Sequence, residues 1–388
     1  MRASIEVRRV ADRRDFAAFF RFPWTLYADD PHWTPLLLSM RREVLDQSRN
    51  PSWEYMEGDY FVAWRGDQPA GTIAAFVNHR HNDYHGENIA WFGFFECYDD
   101  QAVADALLHT ALTWAHERGL SALRGPQSFT THEECGLLVD GFARPVMLMP
   151  YNPPYYQALI ENAGGFHKVM DTYSYHMDTE GGRLNEAQIA RMSRVVERLQ
   201  RQINVRLRVG EKATAKQDFA IFKALYNQAW EKNWGFTPMT ERELDALVKS
   251  LSQFYDPRLA CFVEVDGEAV AFSLAVPDFN QILQRAYPRP GVPELFTLLK
   301  ALWHWKIRPK MDWMRLPLMG VKEAYRNKGL DIMMHQHLYN VLVAPDTPYK
   351  HLDAGWVLET NQPLIGLLSK SGMKRYRTYR FYEKPTGA

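Results

Sequence analysis

The sequence predicts an α/β protein built from two copies of one fold, and three observations carry that expectation. Apolar runs of strand length alternate with stretches of helical periodicity through both halves of the 388 residues. Phe61-Val62-Ala63-Trp64-Arg65-Gly66-Asp67 resembles Phe262-Val263-Glu264-Val265-Asp266-Gly267-Glu268, each a strand entering a Gly-containing hairpin turn and then a second apolar strand, 70–77 and 269–276. Residues 159–175 resemble 367–382, with Gly165-Phe166 matching Gly372-Met373 ahead of a Tyr-rich strand. Phe61 and Phe262 stand 201 residues apart and Gly165 and Gly372 stand 207 apart, so the two matches keep their order and nearly their offset.

The elements follow in order. In the first half 88–97 reads as a strand. Asp99-Asp100 then open a helix to about Arg118, with Val103, Leu107, Ala111 and Trp114 on one face, and 121–124 is a short strand. A polar link at 178–185 precedes a helix at 186–202. In the second half come a strand at 203–209, helices at 215–232 and 240–253, and a strand at 313–321. A helix at 330–342, a strand at 351–357 and a helix from Pro363 complete it. Lys+Arg and Asp+Glu are both 46, a balance that argues against a bulk nucleic-acid binder and leaves room only for a local basic groove. Cys97, Cys135 and Cys261 are too far apart for a disulfide framework, and 1–18 contains no signal-like apolar stretch, so a cytoplasmic protein is expected.

The chemistry concentrates in Leu318-Met319-Gly320-Val321-Lys322-Glu323-Ala324-Tyr325-Arg326-Asn327-Lys328-Gly329-Leu330. This reads as a strand, a turn and a helix N-terminus whose unpaired N–H groups favour an anion such as pyrophosphate. Gly329 permits close approach, and Arg326 and Lys328 add positive charge. Arg326-Asn327-Lys328-Gly329-Leu330-Asp331 resembles the motif of the Gcn5-related N-acetyltransferase (GNAT) superfamily: Arg or Gln, two residues, Gly, one residue, Gly or Ala. Asp331 departs from the final small residue. The order of elements from 203 to 382 is similar too, including Thr360-Asn361 and Gly372-Met373-Lys374.

The resemblance implies two tandem domains, each a mixed, mostly antiparallel sheet flanked by helices. Residues 1–180 would form a GNAT-like domain with a degenerate coenzyme loop and 181–388 the domain with the coenzyme A site. It implies acetyl-CoA or another acyl-CoA as cosubstrate and no metal. The pantetheine arm would pair with backbone near Met319 and Val321, with Arg326, Asn327, Lys328, Gly329 and Leu330 around the phosphates and Asn361 as a polar contact. A neutral amine would attack directly, with Glu359 as the first choice of base and Asp353 the second. The Tyr acid frequent in the helix after Asn361 is missing from 362–370. In the first half the matching loop, Cys97-Tyr98-Asp99-Asp100-Gln101, offers two acids that would repel pyrophosphate.

The polar stretch 124–156, with 27–35, resembles a bacterial group of double-domain acyltransferase-like proteins, some linked to ceramide formation. Glu134 and Tyr151 are the candidate acceptor contacts, the first half being expected to supply part of the acceptor wall. The expected partner is an amine-bearing small molecule or lipid, with no nucleic acid. Lipid-amine (ceramide-synthase-like) acylation, an aminoacyl-tRNA donor and a non-catalytic acyl-ligand binding module stay open beside acyl-CoA-dependent N-acylation. Residues 296–313 read as a core helix with a basic edge, peripheral contact with a membrane surface being the alternative. His79, His81 and His85 read as a solvated hairpin turn rather than a metal site.

Overall fold

A computed structural model describes residues 4–181, 183–231 and 233–387. The first half runs β1 (Ile5–Arg9), α1 (Arg13–Leu26), α2 (Leu38–Leu45), β2 (Met56–Arg65), β3 (Gln68–Asn78), α3 (His79–His85), β4 (Ile89–Cys97), α4 (Gln101–His116), β5 (Ala122–Gly125), β6 (Leu137–Asp140), α5 (Tyr156–Asn162) and β7 (His167–Asp178). The second continues α6 (Glu186–Gln202), β8 (Val205–Val209), α7 (Ala215–Trp230), α8 (Glu241–Ser252), β9 (Ala260–Val265), β10 (Glu268–Pro277), α9 (Asn280–Ala286), α10 (Glu294–Leu302), β11 (Trp313–Val321), α11 (Leu330–Val343), β12 (His351–Leu358), α12 (Gln362–Lys370) and β13 (Lys374–Pro385). The expected end of the helix at Lys232 lies outside the described residues.

The chain divides into two compact units that exchange segments. The first runs through Thr172 and takes in Ile282–Arg308 and the residues from Arg377 onward; the second is Tyr173–Gln281 with Pro309–Tyr376. Strands β7 and β13 therefore begin in one unit and end in the other.

Each unit is a mixed, mostly antiparallel sheet with helices against it. In the first, the strand order is β1-β2-β3-β4-β5-β13, with β6 also on β13. In the second it is β7-β12-β11-β10-β9-β8. The matching hairpins are real: β2–β3 closes at Arg65↔Gln68 and β9–β10 at Val265↔Glu268, each over a two-residue turn. Each unit has a parallel pair, β4–β5 and β11–β12, bridged by a helix, α4 and α11. Helix α4 buries the face expected of it, Val103, Leu107, Ala111 and Trp114, against β3 and β4 residues such as Ala75 and Phe92. Each large side chain removed from water there contributes about 2 kcal/mol. In the second unit α11 buries Leu330, Met333 and Met334 on Val263, Val270 and Ala271. Helix α6 packs beside it through Leu199. Reciprocal capping at Asn185/Gln188 and Thr240/Glu243 fixes where α6 and α8 start.

Two expectations fail here. The histidine cluster is a helix, not a hairpin turn, because the Asn78 side chain caps it at His81 N–H. His81 is buried, with Nε2 2.9 Å from Glu87 Oε2. Segment 296–313 is not a core helix: Phe296, Leu298, Leu299, Leu302, Trp303 and Ile307 are exposed.

Candidate active site

The second unit opens a V in its sheet. Strands β11 and β12 pair in parallel from Trp313↔His351 to Leu316↔Ala354 and carry no ladder pair beyond. The cause is local. Pro317 follows Leu316 and has no N–H to donate, and the β10–β11 register slips at the same place, between Leu274↔Leu318 and Val276↔Arg315. A bulge at Leu316-Pro317 thus turns the C-terminal half of β11 away from β12. Residues 318–321 still pair β10 on their other side, as at Ser273↔Met319 and Ala271↔Val321. Their β12-facing backbone is left as a template for an extended amide chain.

The V leads into the turn. Asn327 (φ 59°) and Gly329 (φ 87°) take the left-handed conformation, and α11 starts at Leu330 with no side-chain cap from Gly329. Leu330 is buried, so it brings only its backbone N–H to the helix N-terminus. A Cβ on Gly329 would lie 3.3 Å from both Val195 and Leu199 of α6, so this glycine serves helix packing as well as chain direction. Arg326 donates from Nη2 to Ala229 O (2.9 Å) and from Nε to Val321 O (3.3 Å), clamping the turn to α7 and β11. Lys328 Nζ lies 4.8 Å from the Tyr325 ring centroid and is exposed. Asp331 accepts from Ile332 N–H at 3.1 Å, and burial raises its carboxyl pKa.

At the apex of the V, on the strand residues just before the parting, Arg315 and Asp353 form a buried pair, Nε to Oδ1 3.5 Å. Tyr376 donates its hydroxyl to Asp353 Oδ2 at 2.7 Å, and Arg315 Nη2 donates to Gly355 O at 3.2 Å. Below them His176, Trp313 and His351 stack, with His176 Nε2 3.2 Å from His351 Nδ1.

The first unit has the same bulge, without the V. The β3–β4 register slips between Thr72↔Glu96 and Ala74↔Gly93, with Phe94 at φ 48°. Beyond Trp91↔Arg124, however, the chain folds back onto β4. Gln127 N–H donates to Phe92 O at 2.9 Å, and a Cβ on Gly93 would lie 1.9 Å from Gln127 O. The Cys97 N–H donates to the Tyr156 hydroxyl (2.8 Å), the Tyr155 hydroxyl donates to Cys97 O (3.0 Å), and Asp100 pairs with Arg65 (2.8 Å). The groups that form an open loop in the second unit are internally bonded in the first. Around them is a second polar centre. Glu96 Oε2 accepts from the hydroxyls of Tyr27 (2.6 Å) and Tyr156 (2.8 Å). Burial pushes the Glu96 carboxyl up to about 7, against the pull of these hydroxyls and Arg41.

Known proteins match along the whole chain. It is 31% identical over 385 residues to the bacterial ceramide synthase of Caulobacter vibrioides, spanning 98% of each chain. It is 30% identical over 381 residues to protein YghO of Escherichia coli, spanning 97% of this chain and 95% of that one. The chain belongs to the family of these two proteins. No family model matches it. Solved structures show the fold of this ceramide synthase–YghO relative. A tandem GNAT protein from the clavulanic acid biosynthesis pathway superposes with TM-score 0.50 at 12% identity, over 99% of both chains. A Gcn5-related N-acetyltransferase from Anabaena variabilis gives 0.51 at 10% identity, over 99% of this chain and 73% of that one. The fold is that of two tandem GNAT-like domains.

In this member of the family the structure brings Met319, Val321, Arg326, Asn327, Lys328, Gly329 and Leu330 together along one strand end and turn. Asn361 caps α12, its Oδ1 accepting from Leu364 N–H at 3.3 Å. Glu359, half-buried, follows β12 at the other arm of the V, and its backbone carbonyl accepts from the Gln362 side chain at 2.8 Å. Asp353 lies deeper, in its pair with Arg315. Tyr151 and Glu134 belong to the first unit's polar centre: the Tyr151 hydroxyl donates to Asp30 (2.7 Å), its ring sits 6.0 Å from Tyr27, and Glu134 acts with Glu96 on the charge of half-buried Arg41. Sequence reasoning missed Glu96, Arg315 and Tyr376. For Glu96 a signal existed, a single acid in the otherwise apolar strand Ile89–Cys97.

Proposed function

We propose that the chain is an N-acyltransferase that takes its acyl group from an acyl-coenzyme A held in the V of the second unit and delivers it to an amine. The observation that carries this reading is the parting of β11 and β12 at Pro317, which leads straight to a helix N-terminus. An extended amide arm can pair with the β12-facing backbone of 317–321. Phosphates can then meet the N–H groups at the start of α11, with Lys328 beside them and Arg326 holding the turn in shape.

The thioester supplies an acyl carbon activated for attack. The amine lone pair forms the new C–N bond, the C–S bond breaks, and the thiolate leaves with its electron pair. The chain must align the two reactants and accept the proton lost from nitrogen. Glu359 is the base of this reading because it is half-exposed at the arm of the V, whereas Asp353 is enclosed by Arg315 and Tyr376 and holds the apex. The identity to a ceramide synthase favours a long-chain amine as acceptor, since a ceramide is the amide of one.

The test is turnover of a long-chain acyl-coenzyme A with a long-chain amino alcohol. Glu359→Gln keeps the shape but removes the base, so turnover should fall roughly a hundred-fold or more, with coenzyme A affinity little changed. Turnover near that of the unmodified protein, measured where chemistry limits the rate, would reject Glu359 as the base. Absence of acyl transfer from any coenzyme A thioester would reject the donor.

A further inference from the structure

Helix α10 and the π-helical turn that continues it, Trp303–Ile307, invert the usual arrangement of a surface helix. The inner positions are small, Thr297 and Ala301, and both are buried. The outer positions are large and apolar: Leu295, Phe296, Leu298, Leu299, Leu302 and Trp303 are 46–64% exposed, and Ile307 is 60% exposed. An apolar face of this kind in water calls for a partner.

The charge around it says which partner. Residues 282–308 contain five basic residues, Arg285, Arg289, Lys300, Lys306 and Arg308, and one acid, Glu294. Glu294 is held at the root of the helix, accepting from the Ser39 hydroxyl (3.0 Å) and Ser39 N–H (3.2 Å). Lys300, Lys306 and Arg308 are exposed among the apolar side chains. The base of the segment is fixed to its own unit: Trp24 Nε1 donates to Pro288 O (2.6 Å) and Gln284 Nε2 donates to Pro31 O (2.7 Å). Among the described residues no helix is long and apolar enough to cross a membrane. A stretch of 14 residues, 294–307, is only about 20 Å long, which suits lying in an interface rather than spanning it.

We propose that this segment is an interfacial anchor that seats the protein on an anionic phospholipid bilayer. Leu, Phe and Trp side chains enter the acyl boundary while the three basic side chains reach the headgroup phosphates. The inference stands apart from the identity of donor and acceptor, because it concerns where the protein works.

Flotation of the full chain with phosphatidylglycerol-containing vesicles, beside vesicles of phosphatidylcholine alone, tests it without an enzyme assay. The unmodified protein should float with the anionic vesicles and be released by salt. The triple variant Phe296→Ser, Leu299→Ser, Trp303→Ser changes only exposed side chains and should bind at least about tenfold less. The variant Lys300→Ala, Lys306→Ala, Arg308→Ala should lose the preference for anionic over neutral vesicles. Unmodified protein that stays in solution with anionic vesicles would overturn the proposal, as would a serine variant that floats equally well. An unmodified protein that self-associates through this face and ignores lipid, with a monomeric serine variant, would assign the face to a second copy instead.

Discussion

At the scale of single residues the first unit's polar centre has a measurable signature. Glu96 sits between two tyrosine hydroxyls, and burial raises its carboxyl from an ordinary 4.5 to about 7. Between those values the folded chain keeps a proton that the unfolded chain releases. This group's contribution is therefore full below about pH 4.5 and is lost as pH rises through about 7, a fall of up to about 3 kcal/mol. Glu96→Gln, neutral throughout, should lack this slope. Urea unfolding of both proteins at about pH 5 and about pH 7.5 checks it. The stability difference between them should shift with pH in that direction, and a difference that stays constant would show that Glu96 is ionised in the fold.

At the scale of elements, β13 completes the first unit although it comes last in sequence. It pairs β5 at Tyr382↔Gly125 through Pro385↔Ala122 and β6 at Arg380↔Leu137. It also brings Arg380 to Asp171 (2.8 Å), Glu383 to Arg124 (2.7 Å) and the buried ring of Tyr382 to the core. Ending the chain after Tyr376 removes all of these, a loss comparable with the whole stability of a domain, roughly 5–15 kcal/mol. Limited proteolysis should then cut within 56–125, and a first unit as resistant as in the full chain would contradict the assignment. What the sequence reveals and what it hides follow from the range of the forces. Helix α6 reads correctly because its cap, Asn185 with Gln188, is local. The strand 313–321 reads correctly because its residues are apolar apart from Arg315. Helix α3 was hidden because one cap bond from Asn78 decides it against a polar, turn-like composition. The exposed face of α10 and the crossing of β7 and β13 were hidden because distant packing, not neighbours in sequence, determines them. At the candidate site the turn 326–329 stood out in the sequence as a pattern of Arg, Lys and Gly. The engagement of Arg326 with Ala229 O, and the Arg315–Asp353 pair, needed the folded chain.

At the scale of the molecule, a duplicated fold has diverged into an open copy and a filled one. Both retain a bulge before the end of the central strand, at Phe94-Phe95 and at Leu316-Pro317. In the first the space beside the strand is closed by Gln127 and its loop and by Tyr155 and Tyr156. In the second Pro317 and the parted β12 leave it open. In the proposed function coenzyme A occupies the second copy and not the first. Hydrogen–deuterium exchange of the full chain with and without coenzyme A tests it most directly. Exchange should slow at 318–321 and at the first turn of α11, with 97–101 unchanged. Protection at 97–101, or none at 318–321 under saturating coenzyme A, would contradict it.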